Sequence, residues 1–117
     1  LGGKSANVVL ADADLDAAVE GAYGAIFANM GQNCVAGSRL LLHESIHDAF
    51  VDKLIAYTKA NTHIGAGTDS KANFGPLVER AAMERSLAAI ERAKAEGAKV
   101  VFGGERIGTR GFFVGPT

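Results

Sequence analysis

The chain has 117 residues, a length that suits one small domain with room for a core. Its 12 Lys and Arg against 13 Asp and Glu leave a net charge of −1, which excludes a basic stripe for nucleic-acid phosphates and an acidic tail. Hydrophobic residues at 48% and charged residues at 21% exclude a disordered chain, and no apolar run approaches the ~20 residues of a membrane helix.

Taken in order, Asn7-Val8-Val9-Leu10-Ala11 is a short apolar run that predicts a buried strand. Asp12 and Asp14 follow as candidate N-caps, and Asp16 places negative charge in a first helical turn. Leu15, Val19, Ala22, Ile26 and Met30 recur at helical spacing as one apolar stripe, which Gly31 would stop. Positions 39–43 predict a second strand. Ser45 with Asp48 resembles a capping box before a helix whose inward face is Ile46, Phe50, Leu54 and Tyr57. Positions 65–75 are polar and glycine-rich, hence a loop. Met83, Leu87, Ile90 and the stem of Lys94 predict a third helix ending at Gly97. A third strand is expected over 98–102, a turn at Gly103-Gly104, and a short last strand at Phe112-Phe113-Val114.

Strands that alternate with helices and are apolar on both sides predict an α/β fold, a layered and largely parallel sheet flanked by helices. Right-handed crossovers would join the strands. The last strand follows the third too closely for a helical crossover and is a candidate to run antiparallel.

The single cysteine, Cys34, excludes an internal disulfide framework and suits a reducing compartment, so cytoplasm is the expectation. It sits just beyond Gly31 in a loop of small and amide side chains. Gly31 and Gly37 free the backbone to aim amides at a reacting oxygen, and a helical turn begun at Val35 would add further N–H groups suited to a nucleophilic sulfur. The competing reading is a buried, inert thiol, and the residues alone leave both open. His43-Glu44-Ser45-Ile46-His47 has the H-E-x-x-H spacing of zinc peptidases, which needs both histidines one turn apart on a helix. With His43 at a strand end and Ser45 as a cap, the pair straddles a boundary, and no metal site is expected. The charges between Glu79 and Arg92 read as the solvent face of a helix, and Gly103-Gly104-Glu105 with Arg106 and Arg110 reads as a solvated turn.

Asn29-Met30-Gly31-Gln32-Asn33-Cys34-Val35-Ala36-Gly37-Ser38-Arg39 resembles the catalytic-cysteine signature of the NAD(P)-dependent aldehyde dehydrogenase superfamily. Leu1-Gly2-Gly3-Lys4 resembles a second signature of that family, at a similar distance upstream. The stretches Ala11-Asp12-Ala13-Asp14-Leu15-Asp16, His43-Glu44-Ser45-Ile46, Phe74-Gly75-Pro76-Leu77 and Phe112-Phe113-Val114-Gly115-Pro116-Thr117 also fall where the family has similar ones.

The resemblance implies covalent catalysis on an aldehyde, with Cys34 as nucleophile, a thiohemiacetal whose oxyanion is held partly by the Cys34 N–H, and a thioester. It implies NAD or NADP as cofactor, Leu1 and Gly2 as backbone beside the nicotinamide, and Asn29, Gly31 and Gln32 as the active-site loop. The family's general-base glutamate, which directly precedes Leu-Gly-Gly-Lys, has no counterpart here, nor does a phosphate loop of GxGxxG or GxxxxGK[ST] type. The chain is therefore expected to be part of a catalytic domain, residues 1–117, without the cofactor-binding domain and without turnover of its own. Exposed apolar surface would make it a homo-oligomer, with neither nucleic acid nor membrane as partner. The alternative is a non-catalytic α/β binding or assembly module that retains the fold.

Overall fold

In the computed structural model, which describes residues 2–117, the chain forms two units, one ending at Thr62 and the other spanning His63–Thr117. The first is a β-α-β unit with one more helix. Strand β1 (Ala6–Val9) pairs in parallel with β2 (Arg39–Leu42), in a register that sets Ala6 beside Arg39 and Val9 beside Leu42. Helix α1 (Leu15–Phe27) makes the crossover, and α2 (His47–Asn61) follows β2.

Asp14, not Asp12, caps α1. Its extended backbone turns the carboxylate back to accept from the N–H groups of Asp16 at 3.0 Å and Ala17 at 3.2 Å. The two predicted stripes then meet. Val9, Val19, Ala22 and Phe50 form the core, with Leu15, Leu40, Leu42, Ile46, Leu54 and Tyr57 packed against it. Phe50 is wholly buried. At the far end of the pair, Tyr23 stands edge-on to Tyr57 at 5.3 Å and shares a hydrogen bond with Thr62 Oγ1 at 3.1 Å. Buried Thr58 satisfies its hydroxyl by donating to the Leu54 carbonyl at 2.7 Å.

The side-chain period of two sends Val9, Leu40 and Leu42 toward the helices and their neighbours the other way. Val8 and Leu41 face each other in register on that second side, 60% and 50% exposed. The strands are apolar on both sides, as predicted, and only one side is covered within the described residues.

Ser45 does not act as the expected cap. His43 ends the strand in an extended conformation, so its Nδ1 accepts from the Ser45 N–H at 3.2 Å and pairs with Ser45 Oγ at 2.9 Å, opening a 3-10 turn over Glu44–Ile46. The histidine holds the serine hydroxyl, and no side chain caps α2.

In the second unit, α3 (Arg80–Ala95) buries Met83 and ends as expected at Gly97. With φ at 97°, Gly97 lets its own N–H reach the Lys94 carbonyl at 3.0 Å while the Ala98 N–H reaches that of Ala93 at 2.9 Å, the paired bonds of a Schellman cap. The strand expected over 98–102 does not form. Its residues join no strand pair among the described residues, and Val101 is 59% exposed. The hairpin here is instead β3 (Arg106–Ile107) against β4 (Phe113–Val114), antiparallel as expected for the last strand. The Arg106 guanidinium closes its turn by donating to the carbonyls of Thr109 at 2.8 Å and Gly111 at 3.3 Å. A bridge between Ile64 and Phe74 ties the preceding loop. Among the described residues, no helix is long and apolar enough to cross a membrane.

Truncating Phe50 should remove the centre of the first unit. Phe50→Ala is expected to destabilise it by about 3–5 kcal/mol and Asp14→Ala by about 1 kcal/mol, read from chemical denaturation.

Candidate active site

Helix α1 stops at Phe27, three residues before the last apolar position of its stripe. Asn29 (φ 51°, ψ 42°) and Met30 (φ 54°, ψ 32°) both turn left-handed inside the short turn Ala28–Gly31, and Gly31 follows at φ 72°. A left-handed backbone costs an L-residue about 1–2 kcal/mol, least for glycine and asparagine, so Met30 carries the strain. Asn29 braces the turn twice. Its carbonyl accepts the Gln32 N–H at 3.0 Å, and its side-chain amide donates to the Gln32 carbonyl at 3.4 Å.

An ending helix leaves its last carbonyls without helical partners. Here the cysteine loop takes two carbonyls at that end. Asn33 Nδ2 donates to the carbonyl of Ala28 at 3.0 Å, and the Gly37 N–H donates to that of Ala25 at 2.9 Å. Cys34 lies between these anchors on a tight turn, closed by the Ala36 N–H on the Asn33 carbonyl at 3.2 Å. The thiol is exposed, not buried as the competing reading had it. The helical turn expected from Val35 is also absent. Val35 is 77% exposed, and the chain passes through the Ser38–Ala36 contact straight into β2, because Arg39 is already claimed by the sheet. The Cys34 N–H meets no acceptor among the described residues, so it stays available to an incoming oxygen.

The segment before β1 runs beside this loop. Arg39 donates its N–H to the Ser5 carbonyl at 3.2 Å and its Nε to the Lys4 carbonyl at 2.8 Å. Gly3 packs against the Cys34 carbonyl so closely that any Cβ would collide with it, whereas Gly2 has open space on its side-chain side. Of the predicted site residues, Asn29, Gly31, Gln32 and Cys34 thus share one loop, and Gly2 adjoins it through Gly3. Leu1 lies outside the described residues. The residues that hold the arrangement, Gly3, Asn33 and Arg39, were not singled out from the sequence. Gly3 could have been, as the second glycine of a pair where only one position needs the space.

The H-E-x-x-H residues serve local structure. His43 caps the 3-10 turn and His47 Nδ1 contacts Asp48 at 2.8 Å. No trio of His, Cys, Asp or Glu suited to a metal occurs among the described residues. Gly2 leaves open space beside the loop, and the sequence contains no glycine-rich phosphate loop of GxGxxG or GxxxxGK[ST] type.

The model of the aldehyde dehydrogenase family matches residues 1–117. An aldehyde dehydrogenase of Enchytraeus buchholzi is 47% identical over all 117 residues, which amount to 23% of its own length. The human mitochondrial aldehyde dehydrogenase is 44% identical over the same span, 22% of its length. Among solved structures, the NAD+ complex of an aldehyde dehydrogenase from Bacillus cereus superposes with a TM-score of 0.94 at 46% identity, covering 99% of this chain and 23% of that one. The chain therefore spans less than a quarter of the length of these relatives.

Three substitutions probe the loop. Gly3→Ala is expected to cost about 1–3 kcal/mol and to change the alkylation rate of Cys34, while Gly2→Ala stays within about 0.5 kcal/mol. Met30→Gly should stabilise the unit by about 0.5–1 kcal/mol, as relief of the left-handed strain outweighs the added freedom of the unfolded chain. Denaturation curves and iodoacetamide kinetics read both effects.

Proposed function

The chain belongs to the aldehyde dehydrogenase family, and from that premise we propose that it carries the nucleophile of an enzyme that oxidises an aldehyde to a carboxylic acid with NAD or NADP as acceptor. The observation that supports this most directly is Cys34 itself, the only thiol, exposed on a loop anchored to Ala25 of α1 and to Ala28 just past its end.

The chain's own chemistry is the making and breaking of one carbon–sulfur bond. The Cys34 Sγ, having given up its proton, attacks the carbonyl carbon, and the π pair moves to oxygen, where the Cys34 N–H can hold the charge. A bound nicotinamide dinucleotide would supply the hydride acceptor, and giving the former aldehyde hydrogen to it would leave a thioester on Cys34. Water then adds to the acyl carbon, the carbon–sulfur bond breaks, and the acid leaves as the thiol is regained. The left-handed turn and the two anchors fix the sulfur before substrate arrives, so orientation is settled in advance.

On this reading residues 1–117 are part of a catalytic domain, and the chain alone turns nothing over. Its coverage of 23% of the Enchytraeus relative supports the first of these. A free thiol as nucleophile suits the reducing cytoplasm. The bare sheet side bearing Val8 and Leu41 supports self-association.

A polypeptide extended to the relatives' length should oxidise aldehydes with NAD or NADP, and Cys34→Ser should lower its kcat about 10³-fold or more. Full activity in that variant would refute the assignment, and turnover by the 117-residue chain would refute its dependence on further segments. Replacing Val8 and Leu41 together by lysine should shift the chain toward monomer in sedimentation velocity.

A further inference from the structure

We propose that Asn33 is a positioning residue for Cys34, acting through a side-chain clamp on the open end of α1; this rests on the reading of Cys34 as the nucleophile. Among the described residues, two bonds pin the cysteine turn to the end of α1, one of them made by a side chain. Asn33 Nδ2 donates to the Ala28 carbonyl at 3.0 Å, one residue before the sulfur-bearing position. The other anchor, the Gly37 N–H on the Ala25 carbonyl at 2.9 Å, lies three residues beyond it. Asn29 and Gln32 brace the left-handed turn itself and do not reach past Gln32.

Without the amide of Asn33, the segment from Gln32 to Gly37 has no side-chain hold on α1 among the described residues, and exposed Cys34 and Val35 sit in the middle of it. The donor is what matters, because the group it faces is a carbonyl oxygen that can only accept. The clamp lies at the surface, so its loss bears little on the core around Phe50 and much on where the sulfur points.

Asn33→Asp keeps the shape and exchanges the donor for an acceptor facing another acceptor, while Asn33→Gln keeps the amide on a longer stem. In the 117-residue chain, amide hydrogen exchange at Gly37 and Ala36 should speed up about tenfold in Asn33→Asp and return toward the parent rate in Asn33→Gln. In the extended enzyme, Asn33→Asp should lower kcat about tenfold or more with KM within about twofold, and Asn33→Gln should recover most of the loss. Unchanged exchange, or kcat within about twofold of the parent, would overturn the clamp while leaving Cys34 as nucleophile. A fall in thermal stability alone would overturn it too. Activity that survives Cys34→Ser would instead bring down the nucleophile assignment and the clamp's purpose with it.

Discussion

The parallel pairing of β1 with β2 is the constraint on which the site depends. In a parallel pair the crossover must return the chain to the end where the first strand began. Whatever precedes β1 is then set beside whatever precedes β2. Here the register puts Ala6 against Arg39, so Gly2, Gly3 and Lys4 run along the cysteine loop although about thirty residues separate them in sequence. Ligands of open α/β sheets usually gather at the carboxyl ends of strands. This loop sits at the amino ends, where the approach of backbone to backbone, not a helix N-terminus, shapes the surroundings of the sulfur.

The second contribution is the manner in which α1 ends. A helix that closed with a single glycine would satisfy its carbonyls locally and owe nothing to the chain that follows. Instead the left-handed run Asn29-Met30-Gly31 swings the chain aside, and later residues supply donors to Ala25 and Ala28. Local strain at Met30 thus goes with a loop whose exposed cysteine is held by bonds to a rigid element. Strain kept where chemistry happens and offset by surrounding contacts is a recurring property of active sites.

Much of the first unit was legible in the sequence because its signals are periodic and its partners are present. Leu15, Val19 and Ala22 on one helix, and Ile46 just before the other with Phe50 and Leu54 on it, meet in the core as their spacing predicts. Where the reading failed, long-range partners decided. The run 98–102 has the composition of a strand yet joins no strand pair among the described residues, while Arg106–Ile107 is too short to show alternation and forms because Phe113–Val114 returns to it. Ser45 looked like a cap until His43, placed by the end of β2, reached its N–H first. Met30 completed an apolar stripe on paper, yet it lies in the left-handed turn that ends the helix. Cys34 was recognisable by its neighbours. That it would be exposed, and that Asn33 and Gly37 would tether its loop, depended on where the carbonyls of α1 came to rest.

The bare side of the β1–β2 pair has a consequence for biogenesis. Val8, Leu10 and Leu41 are wet on that side while Val9, Leu40 and Leu42 opposite them are already packed or partly covered. As the chain leaves the ribosome, this unit carries one side packed under its helices and one apolar ribbon in water. Until that ribbon is covered, its apolar side chains stay in contact with water and favour burial against another apolar surface.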